Sequence, residues 1–195
     1  MPRLALYFAP GASSMAPHIA LFETGAEFEA WPVSFHGDEN RTPEFLALNP
    51  EGKVPVLTID GRPLTEVAAI LFYLARAFPK AALAPWGDTE AESRVVSWMS
   101  FIASSVHPAR RQGLDAARRV WALADARLGE SAWAAGAYSI ADIHLFRLFW
   151  RFVGSLSPSI EEFPAVRRHY GRMMERPAVK AVLAAESAIG YELPG

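Results

Sequence analysis

The chain has 195 residues, 51% hydrophobic and 21% charged, with a formal net charge of −2 at pH 7, which is typical of a globular protein with a buried core. This charge gives no electrostatic basis for binding nucleic acid or an acidic membrane surface. Because the sequence contains no cysteine, disulfides, thiolate metal ligands and cysteine nucleophiles are excluded.

The first 78 residues alternate between strand-like and helix-like patterns. The continuous apolar run Leu4–Phe8 is typical of a strand buried on both faces. Asp60-Gly61, between two short strand-like segments, is a strong hairpin signal. We expect an α/β domain of order β-α-β-α-β-β-α, with strand 4–8, helix 16–25, strand 28–33, helix 42–48, a hairpin around 60–61 and helix 66–78.

Two prolines and a glycine interrupt this pattern in "PKAALAPWGD" (79–88), and the remainder of the chain has helical periodicity. We therefore expect an α/β domain over residues 1–79, a linker over 80–87 and an all-α domain over 88–195. Three apolar stripes at helical spacing predict the helices: Val95, Trp98, Met99, Ile102 and Val106; Ala117, Val120, Trp121, Ala124 and Leu128; Leu145, Leu148, Phe149 and Phe152. Arg147 and Arg151 lie off the third stripe, and Ser139 and Asp142 before it have capping-box spacing.

Two adjacent hydroxyls lie in "YFAPGASSMAPH" (7–18), where the first strand is expected to turn into a helix. Ser13 and Ser14 can be ordinary turn and N-cap residues. They can equally hold an anion, because the free N–H groups of a helix N-terminus favour one. The stretch alone leaves both interpretations open.

Several longer segments point to one family. "NPEGKVPVLTIDGRPLTEVAAILFYLA" (49–75) strongly resembles the glutathione-binding half of the glutathione S-transferase superfamily. The segments 7–25, 98–107, 138–146 and 176–186 resemble its bacterial beta class, in the expected order. The resemblance implies a thioredoxin-like N-terminal domain, a helical C-terminal domain, a homodimer, and conjugation of glutathione's sulfur to an electrophile.

The resemblance also implies how glutathione is held. Pro55 is cis in the family, and the residue before it, here Val54, offers its N–H and C=O to the cysteinyl part of glutathione. Glu66 and Val67 begin a helix that Thr65 can cap, and the free N–H groups there suit the γ-glutamyl carboxylate. Glu66 can also pair with the ligand's ammonium group.

The glycyl carboxylate and the thiol need further partners. A lysine contacts glutathione in relatives near the position of Asp38, where this chain has no cation. His36, Arg41 or Lys53 can substitute for it, and each is also compatible with an ordinary solvated surface position. Beta-class proteins carry a cysteine where this chain has Ser13. A serine hydroxyl at a helix N-terminus can still stabilise a thiolate, and either Ser13 or Ser14 can supply it.

The second substrate is expected to meet the helical domain. His107 matches a histidine that approaches the active site in beta-class relatives, and Arg110 and Arg111 follow it directly. These three residues are our candidates for the electrophile pocket, and His107 is also a candidate catalytic residue. Each of them is equally compatible with a structural role at a helix end.

We expect a cytoplasmic glutathione transferase that uses glutathione as its co-substrate, with no nucleic-acid or membrane partner. The five histidines lack metal-binding spacing, so we expect no metal. The longest apolar run, residues 67–75, is too short to span a bilayer. Two alternatives stay open: a non-catalytic binding or regulatory protein of the same fold, and a glutathione-dependent reductase or peroxidase.

Overall fold

The chain folds into an α/β unit and a helical unit. In this computed structural model, which describes residues 2–192, the first unit comprises the chain up to Ala81 together with the segment from Pro177 onward, and the second comprises Ala82–Arg176. The contacts thus place the last helix with the N-terminal unit. This grouping differs from the predicted division at residue 88, because the last helix packs against the first one.

A four-stranded mixed sheet forms the centre of the first unit. Its strands are β1 (Leu4–Phe8), β2 (Phe28–Pro32), β3 (Val56–Ile59) and β4 (Arg62–Thr65), in the order β2-β1-β3-β4. Strand β1 pairs in parallel with β2 and antiparallel with β3, and β3 pairs antiparallel with β4. The predicted hairpin is present: Asp60 and Gly61 both have positive φ, as a two-residue type I′ turn requires.

Helices accompany this sheet in the predicted order. They are α1 (Met15–Thr24), α2 (Pro43–Leu48), α3 (Val67–Ala77) and the C-terminal helix of this unit, Pro177–Ile189, with short 3₁₀ turns at Glu39–Arg41 and Pro79–Ala81. Gly25 ends α1 in the left-handed conformation, and Thr42 caps α2 by accepting a hydrogen bond from Phe45 N. The predicted α/β fold class, with the order β-α-β-α-β-β-α, is confirmed.

The strand pairing brings four chain segments to one edge of the sheet. The parallel strands β1 and β2 both end at this edge, and the antiparallel strand β3 begins there, since Tyr7 pairs with Val56. Strand β4 ends there as well, since Val56 pairs with Thr65. The loops at these four strand ends therefore lie next to one another.

The second unit is helical throughout its regular structure in the described residues. Its elements are α4 (Thr89–Phe101), a π-helical turn (Ile102–Val106), α5 (His107–Ala109), a 3₁₀ turn (Arg110–Gln112), α6 (Leu114–Leu128), α7 (Ile140–Leu156), a 3₁₀ turn (Ile160–Glu162) and α8 (Pro164–Met174); the final helix Pro177–Ile189 of the first unit is α9. The π turn precedes Pro108, which has no N–H to donate to the previous turn.

Helix α7 lies at the centre of this unit. Twelve of its 17 residues are buried, including Arg147 and Arg151. The two arginines therefore lie off the apolar stripe without reaching solvent. None of the helices described between residues 2 and 192 is both long and apolar enough to cross a membrane.

The predicted capping box starts α7. The Ser139 hydroxyl accepts from Ala141 N, and Asp142 Oδ2 accepts from Ser139 N at 2.8 Å. The other oxygen of this fully buried carboxylate accepts from Ala134 N at 2.7 Å and lies 2.9 Å from His169 Nε2. Asp142 thus ties α7 to α8 and to the preceding loop, beyond the capping role predicted from its spacing.

Replacing this carboxylate should destabilise the second unit. In Asp142→Ala the buried donors lose their acceptor, and we expect the free energy of unfolding in urea to fall by about 3 kcal/mol. Asp115→Ala is the control, because Asp115 is exposed in the first turn of α6, where an acidic residue contributes about 0.3–1 kcal/mol. Equal losses in the two variants would contradict the structural role assigned to Asp142.

Candidate functional site

The four segments at the sheet edge carry most of the residues predicted to bind a ligand. In the order of the sheet they contain Ser34 after β2, Ser13 after β1, Val54 before β3 and Glu66 after β4. Because neighbouring strands lie about 4.8 Å apart, the row from the end of β2 to the end of β4 extends about 14 Å. The edge therefore offers an elongated surface rather than a point site.

An apolar cluster supports three of these four segments from beneath. It consists of buried Ala9, Ala12, Val33, Phe45, Val54 and Val56, with Tyr7, Phe35 and Leu48 packed against it. Ala12 is next to Ser13, and Val33 and Phe35 flank Ser34. Burial of these neighbours therefore fixes where the two serines lie relative to Val54.

Ser13 is partly buried and lies directly beside the Val54-Pro55 segment. Its hydroxyl donates to the carbonyl oxygen of Val54 at 3.2 Å. The Val54-Pro55 peptide bond is cis. Among the hydrogen bonds of the described residues, none uses the N–H of Val54. The Ser13 hydroxyl and the Val54 backbone, which are predicted to bind the same ligand, thus lie next to each other.

Ser14 is placed differently. It is fully buried at the N-cap position of α1, without a side-chain capping bond. Its hydroxyl accepts from Ala9 N and donates to Ala9 O, both at 3.1 Å. These two bonds join the ends of the loop 9–14. Because the Ser13 hydroxyl binds Val54 O and the Ser14 hydroxyl binds Ala9, neither serine side chain caps α1.

A buried carboxylate from α9 holds the same loop. Glu186 Oε2 accepts from Gly11 N at 2.6 Å, and Glu186 Oε1 lies 2.8 Å from His18 Nδ1 on α1. Both side chains are almost fully buried, and the His18 ring also packs against Phe8. Sequence reasoning missed this contact. The signal was a single glutamate in a mostly apolar helical segment, which does not indicate its partner.

Two asparagine side chains hold the backbone of the loop before Val54 through hydrogen bonds. Asn49 Nδ2 donates to Lys53 O at 2.7 Å, and Asn40 Nδ2 donates to Gly52 O at 2.8 Å. Asn49 also accepts from Glu51 N through its side chain. These bonds pin the backbone that leads into the cis bond, so the position of Val54 depends on side chains from two segments.

Two predicted cations lie at this loop, Lys53 within it and Arg41 in the turn Glu39–Arg41 beside it. Lys53 Nζ is 2.5 Å from Glu51 Oε2, and both side chains are exposed. The Arg41 guanidinium lies over Gly52, where a Cβ would come within 2.7 Å of its Nη1 atom. Arg41 Nη1 donates weakly to Glu51 O at 3.5 Å.

The start of α3 differs from its prediction in one respect. The N-cap residue is Glu66 and no side chain caps the helix, so the expectation that Thr65 caps it is wrong; Thr65 is the last residue of β4. Exposed Glu66 has φ 68°, a left-handed value that is costly for a side chain with Cβ. The first helical bond runs from Ile70 N to Glu66 O, which leaves the N–H of Val67 pointing out of the helix end.

The loop after β2 binds a carboxylate of the chain itself, that of Glu192. Glu192 accepts from His36 N at 2.9 Å, and the Ser34 hydroxyl lies 3.0 and 2.9 Å from its two oxygens. The His36 ring is exposed, with Nδ1 4.0 Å from the same carboxylate. Asp38, near the expected lysine position, has φ 53° at the start of the turn Glu39–Arg41. The donors at this end of the edge are therefore backbone and hydroxyl groups of the loop.

The predicted electrophile residues lie together in the second unit. His107 begins α5, and Arg110 and Arg111 form the 3₁₀ turn after it. Burial, and then the neighbouring Arg111, lowers the pKa of Arg110. Burial lowers the pKa of His144 to about 3, with a further contribution from His107, so His144 is neutral at physiological pH. Arg110 and Arg111 therefore make this turn locally cationic.

Family models match both parts of the chain. The model described as "Glutathione S-transferase, N-terminal domain" matches residues 2–76 and the model described as "Glutathione S-transferase, C-terminal domain" matches residues 89–177. The chain belongs to the glutathione S-transferase family. The family predicted from the sequence is thereby confirmed, and with it the enzyme class, a glutathione transferase.

Individual relatives agree with this assignment. The glutathione S-transferase GstA of Escherichia coli O157:H7 is 30% identical, and the match covers 94% of this chain and 98% of GstA. A sphingomonad glutathione S-transferase solved in complex with glutathione is 36% identical with a TM-score of 0.86, over 94% of this chain and 98% of that one. The bacterial beta-class enzyme of Sphingomonas chungbukensis is 37% identical with a TM-score of 0.83, over 93% and 98%.

Within residues 2–192, no group of three or more histidine, aspartate and glutamate side chains is arranged to hold a metal ion. The polar groups at the sheet edge are instead hydroxyls, backbone N–H groups and single charged side chains, which suit an organic ligand with several different functional groups.

Gly52 offers a test of the loop before Val54. Gly52 and Gly25 have nearly the same left-handed φ, 63° and 64°, but a Cβ at Gly25 meets no atom within 4 Å. We expect left-handed strain of about 1–2 kcal/mol in both alanine variants. In Gly52→Ala, contact with Arg41 and Asn40 should add about 1 kcal/mol or more. Urea unfolding of the two variants measures the difference; equal losses would contradict the close approach at Gly52.

Proposed function

We propose that this glutathione transferase binds glutathione along the sheet edge, stabilises its thiolate with the Ser13 hydroxyl and transfers the sulfur to a small electrophile. The observation that carries the proposal is the Ser13–Val54 contact at the centre of the edge. Three extended residues span about 10–11 Å, and the γ-linkage of glutathione lengthens it further. The tripeptide therefore matches the row from β2 to β4, about 14 Å long.

The γ-glutamyl end is proposed to bind at the start of α3. The ligand's α-carboxylate accepts from the free N–H groups at Val67, where the helix dipole favours an anion. The Glu66 carboxylate is exposed next to them and has no hydrogen-bond partner among the described contacts, so it can pair with the α-ammonium group. Val67 keeps the backbone donor but lacks a hydroxyl for the same carboxylate.

The cysteinyl part is proposed to pair with Val54 as an added strand would. The Val54 N–H donates to the ligand's backbone carbonyl, and the Val54 carbonyl accepts from the ligand's backbone N–H. That carbonyl is now bound by the Ser13 hydroxyl. When the ligand's N–H takes this place, the hydroxyl is released and turns towards the sulfur.

The energetics of thiolate formation are compatible with one hydroxyl. A free thiol titrates near pKa ~8.5, and lowering this by two units requires about 2.7 kcal/mol. A hydrogen bond to a charged group contributes about 1.5–3 kcal/mol, and the α1 N-terminus adds roughly 0.3–1 kcal/mol. Ser13 is favoured over Ser14 because the Ser14 hydroxyl is buried and already bonded twice to Ala9.

Other parts of the proposal rest on the resemblance. We assign the electrophile pocket to His107, Arg110 and Arg111, with His107 as a donor to the reacting groups, and the glycyl carboxylate to the β2 end of the edge near Arg41 and Lys53. The electrophile itself stays unspecified. A homodimer in the cytoplasm completes the proposal.

Two measurements on the wild-type protein test the proposed chemistry. Isothermal calorimetry should detect glutathione binding, and the ultraviolet thiolate band of bound glutathione should be present at neutral pH. Absence of binding at millimolar glutathione would contradict the proposal. Binding without the thiolate band would favour the alternative, a non-catalytic binding protein. Turnover of disulfides or peroxides without conjugation would favour the reductase alternative.

The two serines give the sharpest prediction. Ser13→Ala should retain glutathione binding but lose the thiolate band, and kcat for conjugation should fall roughly 10–100-fold, the equivalent of one charged hydrogen bond. Ser14→Ala should instead lower the free energy of unfolding by about 1–3 kcal/mol, because it leaves the buried N–H of Ala9 without its acceptor. The reverse pattern, with the thiolate lost only in Ser14→Ala, would refute the assignment.

A further inference from the structure

The loop after β2 binds a carboxylate that belongs to the chain itself. We propose that the backbone and hydroxyl donors of Ser34–His36 form a carboxylate seat at the β2 end of the sheet edge, and that Glu192 occupies it as an autoinhibitory contact which an incoming ligand carboxylate must displace. The identity of that ligand rests on the proposed function; the existence of the seat does not.

The contacts of Glu192 resemble those of a bound ligand. Its Oε2 atom accepts from His36 N at 2.9 Å, and both oxygens lie within 3.0 Å of the Ser34 hydroxyl. The hydrogen bond from His36 N is the main cause that holds the pKa of Glu192 below its ordinary value, with the bond from Ser34 as the next cause. The side chain that fills the seat is therefore an anion at neutral pH.

The seat is organised by the loop and not by Glu192. Ser34 N donates to the Glu39 side chain at 2.8 Å, and the Ser34 hydroxyl accepts from Gly37 N at 2.9 Å. Val33 before it is anchored by a hydrogen bond from its N–H to Phe8 O at 2.7 Å. These bonds orient the donors whether or not a carboxylate is present, which is what a preorganised binding site requires.

The end of α9 delivers the carboxylate to this seat. The helix ends at Ile189, and Gly190, with φ 100°, turns the chain in a conformation open to glycine. The fully buried Glu186 fixes α9 against α1 one turn earlier. A carboxylate tethered this close has a millimolar effective concentration for the seat, so a free carboxylate competes with it at a disadvantage.

The position of the seat indicates what it would accept. It lies at the opposite end of the edge from Glu66, and Phe35 between its two donors packs against the same apolar cluster as Val54. An extended ligand with its ammonium group near Glu66 and its centre at Val54 would place a distal carboxylate here. In glutathione this group is the glycyl carboxylate, and in wild-type protein Glu192 competes with it.

Calorimetry with two ligands separates the seat from the rest of the site. In Glu192→Ala, glutathione should bind on the order of tenfold more tightly, the equivalent of about one hydrogen bond. γ-Glutamylcysteine, which lacks the glycyl carboxylate, should bind equally well to wild type and variant. Glu27→Ala is the matched control, because Glu27 is exposed at the opposite edge of the sheet. Equal or weaker glutathione binding by Glu192→Ala, compared with wild type, would overturn the autoinhibitory contact.

A second measurement does not depend on glutathione. N-acetylglycine, titrated as a simple carboxylate into ¹⁵N-labelled protein, should shift the His36 amide resonance in Glu192→Ala and leave it unmoved in wild type. An unmoved His36 resonance in the variant would overturn the seat. If neither wild type nor Glu192→Ala bound glutathione or γ-glutamylcysteine, but N-acetylglycine still shifted the His36 resonance of the variant, the proposed function would fail and the seat would stand.

Discussion

The constraint on which the rest of the first unit depends is that β1 pairs with one parallel and one antiparallel neighbour. Because β2 runs parallel to β1 and β3 runs antiparallel to it, segments far apart in sequence meet at one edge of the sheet. A shift of one residue in either register would turn alternate side chains to the other face. The geometry of the site therefore depends on the strand register more than on any single residue.

Two carboxylates from the C-terminal segment act on this edge in different ways. Glu186 is fully buried and binds Gly11 N and His18, so it supports the loop that carries Ser13. Glu192 is only partly buried and binds donors at the surface. A buried pair is costly to break, whereas a surface carboxylate exchanges readily with water and other anions. We therefore assign the first a permanent structural role and the second a displaceable one.

Local sequence patterns predicted much of the fold, but they did not predict contacts between residues that are far apart in sequence. The Asp60-Gly61 hairpin and the Ser139–Asp142 capping box are encoded by residues a few positions apart, and both are present. The partners of Glu186 and Glu192 lie 156 to 175 positions away, where no periodicity or cap pattern reaches. Thr65 failed as a cap because the strand pairing of β4 extends through it, and tertiary pairing overrides cap preference.

The central claim is that glutathione lies along this one edge of the sheet, with its cysteinyl part at Val54. The most direct measurement is a glutathione titration of ¹⁵N-labelled wild-type protein followed by amide resonances. We predict shifts at Ser13, Val54 and Val67 that saturate together, and unmoved resonances at Glu27 and Gly61 on the opposite edge. Saturable shifts that spare Val54 and Val67, or that centre on the opposite edge, would contradict it.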